Sequence, residues 1–196
     1  GLHTYNSDEK ARQFNVVARH SLEKKAAQYS DIFTTVSDIT AQECSQFLGR
    51  KVDVVTPNGF EPSFTPATDE EYEIKREAAR GKLIEVAEAM CGEKIAGNAV
   101  LVGIGGRYEW KNKGIDVFID ALDKLNRSDF KGKQVHAFIM IPSGHNGPDK
   151  QLVAKLEGNG STYLTRTSHY LMHPEYDNVT RRLNDVALNN SLGDKV

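Results

Sequence analysis

Two apolar runs of strand length, separated by about thirty residues, constrain the fold of this chain more than any other feature. The first, AVLVGI, spans residues 99–104, and the second, VHAFIMI, spans residues 135–141. Such runs are typical of strands buried on both faces of a parallel sheet. Between them, apolar residues recur at helical spacing: Ile115, Phe118, Ile119, Leu122 and Leu125. Strand, helix and strand form a βαβ unit, so we expect an α/β fold with parallel strands.

The first third of the chain predicts a second set of alternating elements. An uninterrupted helix is expected over residues 8–29, which contain no Gly or Pro. Strands are expected at residues 32–36 and 52–55, where β-branched residues cluster. The helix between them has Ser37 or Asp38 as its cap and stops near Gly49.

Turn-forming residues divide the chain after this point. PNGFEPSFTP, residues 57–66, holds three prolines and an Asn-Gly pair, and it predicts an irregular linker between two domains. Further helices are expected from residue 69 to 91, from 150 to 156 and from 178 to 188, and SGHNGPDK is expected to be a loop.

Charge and composition exclude several classes of function. A net charge of −2 provides no basic field for nucleic acid. No apolar run approaches the roughly 18–20 residues of a membrane span, and the first residues lack the pattern of a signal peptide. We therefore expect a cytoplasmic protein. Cys44, Cys91 and the six scattered histidines show no metal-ligand spacing, and no metal is expected.

The loop after the first apolar strand is the best place to look for chemistry, because ligands of open α/β sheets collect at the carboxyl ends of strands. Gly105 and Gly106 are followed by three cations, Arg107, Lys111 and Lys113. Such a loop can bind an anion such as phosphate. In the alternative, Arg107 pairs with Glu109 or another carboxylate and the lysines are solvated. The string GIGGR lacks the spacing of a P-loop or a dinucleotide fingerprint, so no nucleotide cofactor is expected.

Four segments, in this order, carry a resemblance to a known family: DIFTTVSDITAQE, VDVVTPNGFEP, GRYEWKNKGIDVFIDAL and HPEYDNVTRRL. Together they resemble the central part of glycogen synthases of the animal and fungal type. The resemblance implies a retaining, UDP-glucose-dependent glycosyltransferase of GT-B architecture, with two Rossmann-like domains. Residues 1–56 would close the first domain, residues 57–66 would link the two, and residues 67–196 would open the second, nucleotide-sugar-binding domain.

The resemblance also implies site residues and partners. Arg107 and Lys113 match the family's cations on the UDP-glucose diphosphate, with UDP-glucose and an α-1,4-glucan as substrates. Asn58 and Gly59 fall at the floor of the interdomain cleft, although a simple turn explains this pair equally well.

No catalytic residue is expected within this chain, because the family's catalytic-region histidine and Glu-x7-Glu segment lie outside the matched blocks. The isolated chain is therefore predicted to be inactive. The family's long helical insertion for tetramer assembly is also missing between IMIPSGHNG and HPEYDN, so any homo-oligomer would have to form another way. Two alternatives stay open: a different nucleotide-sugar transferase of GT-B fold, and a non-catalytic interaction module derived from one.

Overall fold

Helices and short parallel strand pairs alternate in the computed structural model, which describes residues 4–160, 164–191 and 194–196. The α/β class and the parallel strands are confirmed. Internal contacts divide the chain into two units, with the boundary between Pro66 and Ala67.

The first unit is mainly helical. Its elements are α1 (Ser7–Gln13), α2 (Val17–Tyr29), β1 (Thr34–Thr35), α3 (Asp38–Leu48), β2 (Val54–Val55) and a 3-10 turn at Pro62–Phe64. Strands β1 and β2 pair in parallel, and α3 connects them, which makes a small βαβ unit.

The single helix predicted over residues 8–29 is wrong, because the chain breaks between α1 and α2. Asn15 adopts a left-handed conformation with φ of 55°. The amide of Val16 then reaches back to the carbonyl of Ala11 at 2.9 Å, which closes the end of α1. Asn tolerates this conformation better than most residues, so a helix can end without Gly or Pro.

The cap and the end of α3 lie where the sequence predicted them, but strands β1 and β2 are shorter than expected. Ser37 Oγ accepts a hydrogen bond from the amide of Thr40 at 3.2 Å, and Gly49 ends the helix with φ of 69°. Each strand is only two residues long. At one end of the pair, the side chain of Asp53 accepts a hydrogen bond from the amide of Phe33 at 2.7 Å. This side chain replaces the backbone carbonyl that would accept from Phe33 if the strands were longer.

The second unit has a longer parallel pair at its centre. Its elements are α4 (Asp69–Cys91), β3 (Val100–Gly105), α5 (Ile115–Arg127), β4 (Val135–Met140), β5 (His145–Pro148), α6 (Lys150–Leu156), β6 (His169–Leu171) and α7 (Asn178–Asp185). Strands β3 and β4 pair in register from Val100 opposite Val135 to Gly105 opposite Met140, so both predicted strands are confirmed.

Apolar side chains pack on both faces of this pair. On one face, Ile115 and Ile119 of α5 are fully buried in a cluster with Val186 and Leu188, which follow α7. On the other face, Phe138 packs against a cluster to which α4 contributes Ala87. Burial on both faces is incomplete, since Val100 and Met140 remain 40% and 55% exposed at the ends of their strands.

Two local differences from the sequence prediction matter for the candidate site. The segment predicted as a loop at SGHNGPDK contains β5, which pairs antiparallel with β6. Helix α7 ends at Asp185 rather than residue 188, because Ala187 turns with φ of 58° and lets Val186 and Leu188 enter the core.

None of the described helices is both long enough and apolar enough to cross a lipid bilayer.

Candidate functional site

The loop between β3 and α5, residues 106–114, is the centre of the candidate site. Gly106 leaves the strand with φ of 142°, a conformation that side chains rarely allow, and its amide donates to the carbonyl of Met140 at 3.3 Å. The loop folds back through a bond of 2.9 Å from the amide of Lys113 to the carbonyl of Glu109. Gly114 then begins α5 with φ of 66° and no side-chain cap. The loop is therefore held at both ends by backbone geometry.

The structure places Arg107 on the exposed side of this loop. Its Nε atom lies 3.0 Å from Glu109 Oε1, and its side chain is 80% exposed. The pairing of Arg107 with Glu109, the alternative derived from sequence, is therefore present. It occupies only the Nε side of the guanidinium, and no partner for the two terminal nitrogens is found in the described parts of the chain. That outer edge has the fork geometry that suits phosphate oxygens.

The two lysines of the loop differ in their surroundings. Lys111 Nζ lies 2.6 Å from Asp116 Oδ2, and this bond is the largest cause that lowers the pKa of the Asp116 carboxyl. Lys113 is exposed, and within the described residues its ammonium has no ion-pair partner. Lys111 is thus paired with Asp116 in the first turn of α5, whereas Lys113 can bind an anion from solution.

Tyr108 faces the opposite way from Arg107 and joins the loop to a distant helix. Its ring packs against the core cluster of α5. Its hydroxyl donates to Asp177 Oδ2 at 2.8 Å and accepts from the amide of Val179 at 3.1 Å. Burial, followed by smaller effects that include the nearby Asp177, raises the pKa of Tyr108 to about 12, so the phenol stays protonated at neutral pH.

A cavity of about 240 Å³ lies beside this contact, at the carboxyl ends of β3 and β4. Tyr108 contributes from one strand end and Ser143 and Gly144 from the other, and residues 171–173 and 176–178 complete the wall. The structure thus places a pocket at this edge of the sheet, but neither Arg107 nor Lys113 lines it.

The other candidates from sequence are less connected. Asn58 and Gly59 lie exposed in an irregular stretch of the first unit, and Gly59 has no positive φ that would require glycine. His145 and His169, which sequence spacing did not associate, have ring centroids 4.5 Å apart across β5 and β6. The described residues contain no cluster of three or more His, Cys, Asp or Glu side chains suited to a metal ion.

Comparison with known proteins assigns the family. The family model described as glycogen synthase matches residues 1–195. The chain belongs to the glycogen synthase family. It is 33% identical to glycogen [starch] synthase isoform 2 of Saccharomyces cerevisiae over 95% of this chain and 26% of that protein.

Other glycogen synthases match a shorter stretch of the chain. Glycogen [starch] synthase of Dictyostelium discoideum is 34% identical over 74% of this chain and 17% of its own length. The human liver glycogen [starch] synthase is 30% identical over 74% of this chain and 21% of its own length. The chain therefore spans about a quarter, or less, of these relatives.

The sequence did not predict the partners that hold this loop. It named Arg107 and Lys113 but gave no role to Tyr108, Asp177 or Val179. The available signal was weak: Asp177 precedes a predicted helix and is a good cap, and Tyr108 lies between two charged residues. Tyr108 and Asp177 are 69 positions apart in the sequence, and no sequence pattern indicates that their side chains form a hydrogen bond.

Proposed function

We propose that this chain is the central part of an enzyme that transfers glucose from UDP-glucose to the non-reducing end of an α-1,4-glucan, with retention. Family membership supports the reaction, and all three named relatives are glycogen synthases. The architecture we propose is GT-B: residues 1–56 close the first Rossmann-like domain, residues 57–66 link the two, and residues 67–196 open the second. Asn58 and Gly59 would then lie at the hinge.

Within this chain, the proposed role of Arg107 and Lys113 is to bind the donor diphosphate. The observation that carries this assignment is that Arg107 and Lys113 are both exposed in the loop after β3, and that among the described residues neither the terminal nitrogens of Arg107 nor the ammonium of Lys113 has an ion-pair partner. As the bond between glucose and the β-phosphate breaks, negative charge grows on the departing phosphate. Cations fixed in place stabilise that charge more in the transition state than in the ground state, which raises kcat.

Glu109 has a second part in this proposal. Its carboxylate holds the Nε side of Arg107 and leaves the planar fork exposed. A diphosphate can then bind the terminal nitrogens without displacing Glu109. The groups that complete catalysis would come from parts of the enzyme outside these residues, and the chain alone should release no UDP from UDP-glucose and glycogen.

The test is steady-state kinetics of the full-length protein that contains this chain, with UDP-glucose and glycogen as substrates. Arg107→Ala and Lys113→Ala should each lower kcat by about 10²–10³-fold if each cation acts as a preorganised donor. Lys131→Ala is the matched control, since it removes one exposed positive charge outside the loop. Unchanged turnover in both loop variants would refute the assignment. Activity with a different nucleotide sugar in place of UDP-glucose would favour another transferase of the same fold.

A further inference from the structure

The hydroxyl of Tyr108 completes the amino-terminal cap of α7. Asp177 is the cap residue of this helix, and its Oδ1 atom accepts from the amide of Thr180 at 2.7 Å. Its other oxygen accepts from Tyr108, and Tyr108 in turn accepts from the amide of Val179. Two amides of the first turn, which have no partner inside a helix, are thereby satisfied. A residue of the strand-end loop thus belongs to the cap of a helix about 70 residues later in the chain.

This arrangement fixes the point at which the side chain of Arg107 leaves the loop. Arg107 and Glu109 flank Tyr108, and their side chains pair with each other on the outside of the loop. Tyr108 is held inward at its ring and its hydroxyl, and this anchors the backbone on the carboxyl side of Arg107. On the amino side, the bond from the Gly106 amide to the carbonyl of Met140 holds the chain. Arg107 is therefore anchored on both sides, and only its side chain is free to move.

Helix α7 is itself fixed to α5, which begins where the loop ends. Arg182 of α7 contacts Asp120 of α5 through two nitrogens, at 2.7 and 2.8 Å. Leu183 of α7 and Phe118 of α5 border the same core cluster. The loop, α5 and α7 thus contact one another in turn, and the two hydrogen bonds of Tyr108 join the loop to α7.

We propose that Tyr108 is a positioning residue, whose hydrogen bonds to Asp177 and Val179 hold Arg107 in the geometry that binds the departing phosphate. This inference rests on the proposed function, because it needs Arg107 to contact the donor. It assigns no proton transfer to Tyr108. A phenol engaged as both donor and acceptor within the protein serves structure, and its effect on the reaction passes through Arg107.

The experiment is a double-mutant cycle in the full-length protein, with kcat and KM measured for UDP-glucose. Tyr108→Phe keeps the ring and removes both hydrogen bonds. It should lower kcat by about 10- to 100-fold, the scale expected when a catalytic group is misplaced. In an Arg107→Ala background the same change should lower kcat by less than about threefold, because residues that act through one another are not additive.

Two further variants separate positioning from general destabilisation. Asp177→Asn keeps a good helix cap but weakens the bond from Tyr108, so it should reproduce the loss of kcat in smaller degree. Tyr72→Phe is the matched control, because Tyr72 is 51% exposed on α4 and should tolerate loss of its hydroxyl. Its kcat should equal that of the unmodified protein.

The outcomes distinguish the two proposals. If Arg107→Ala leaves kcat unchanged, Arg107 has no part in the donor site and the inference is refuted; if Lys113→Ala also leaves kcat unchanged, the proposed donor site is wrong as well. If Arg107→Ala is impaired but Tyr108→Phe is not, the donor site stands and the positioning role is refuted. Equal and additive losses from Tyr108→Phe with and without Arg107 would also refute it, because they would show an effect that does not pass through Arg107.

Discussion

The packing of α5 on the parallel pair offers a quantitative test of the second unit. Ile119 is fully buried in the cluster that contains Ile115, Leu122, Val186 and Leu188. Ile119→Ala removes three carbon atoms, which costs about 2.4 kcal/mol at about 0.8 kcal/mol for each buried methylene. The cavity left behind adds to this loss, because strands on one side and a helix end on the other limit collapse. We expect a total of about 3–4 kcal/mol, within the range of about 2–5 measured for such core substitutions.

The assay is urea unfolding followed by the fluorescence of Trp110. Trp110 is the single tryptophan of the sequence, and it packs against this same cluster. Its emission therefore reports the second unit even if the two units unfold separately. The control is Val117→Ala on the same helix, since Val117 is 67% exposed and its loss should change the free energy of unfolding by less than about 0.5 kcal/mol. A loss below about 1 kcal/mol for Ile119→Ala, or equal losses for both variants, would refute the packing described here.

Two glycine substitutions in the second unit can be tested with the same fluorescence assay. Gly81 lies inside α4 with open space where a side chain would go, so Gly81→Ala should stabilise the unit by about 0.5–1 kcal/mol. Gly92 ends α4 with φ of 76°, and an added methyl group would lie 2.8 Å from the side chain of Leu164. Gly92→Ala should therefore destabilise the unit by about 1–3 kcal/mol. An increase in the free energy of unfolding for Gly92→Ala would contradict the described turn. The pKa of Tyr108, raised to about 12, predicts that its contribution to stability is complete below its ordinary pKa of about 10 and is lost as pH rises through 12. The stability difference between the unmodified protein and Tyr108→Phe should therefore narrow over that pH interval, and a constant difference would show that the hydroxyl is not buried against Asp177.

The sequence predicted the centre of the second unit well because there the local signals agree. AVLVGI and VHAFIMI are apolar and rich in β-branched residues, and the helix between them has one apolar face. Each local preference supports the same arrangement, so β3 and β4 lie within one residue of the expected bounds, and α5 contains all the apolar positions that were expected on one helix face. Such consistency between levels is what makes a fold readable from its sequence.

The predictions failed where one residue decided a conformation without a clear signal. Asn15 breaks a helix that periodicity extends from residue 8 to 29, and Ala187 turns the chain at the end of α7 with a positive φ that its type does not favour. In the second case, the burial of Val186 and Leu188 offsets the cost of the turn. Strand β5 was missed because HNGP reads as a turn, and only its pairing with β6 gives it extended structure.

The candidate site shows the same contrast between residues that a local pattern indicates and residues that are recognised only by their contacts in the fold. The cations Arg107 and Lys113 can be named from the sequence, because their place after a buried strand has a chemical meaning on its own. The contact of Tyr108 with Asp177, which we propose orients Arg107, cannot be named in this way, because it joins residues 69 positions apart that meet only through the packing of the folded chain. One consequence is specific to this arrangement. A substitution at the start of α7 should alter the conformation of loop 106–114, whereas a substitution of Arg181, which is exposed in the middle of α7, should not. The position of a residue in the cap of α7, rather than its distance from Arg107 along the chain, then decides its effect on the site.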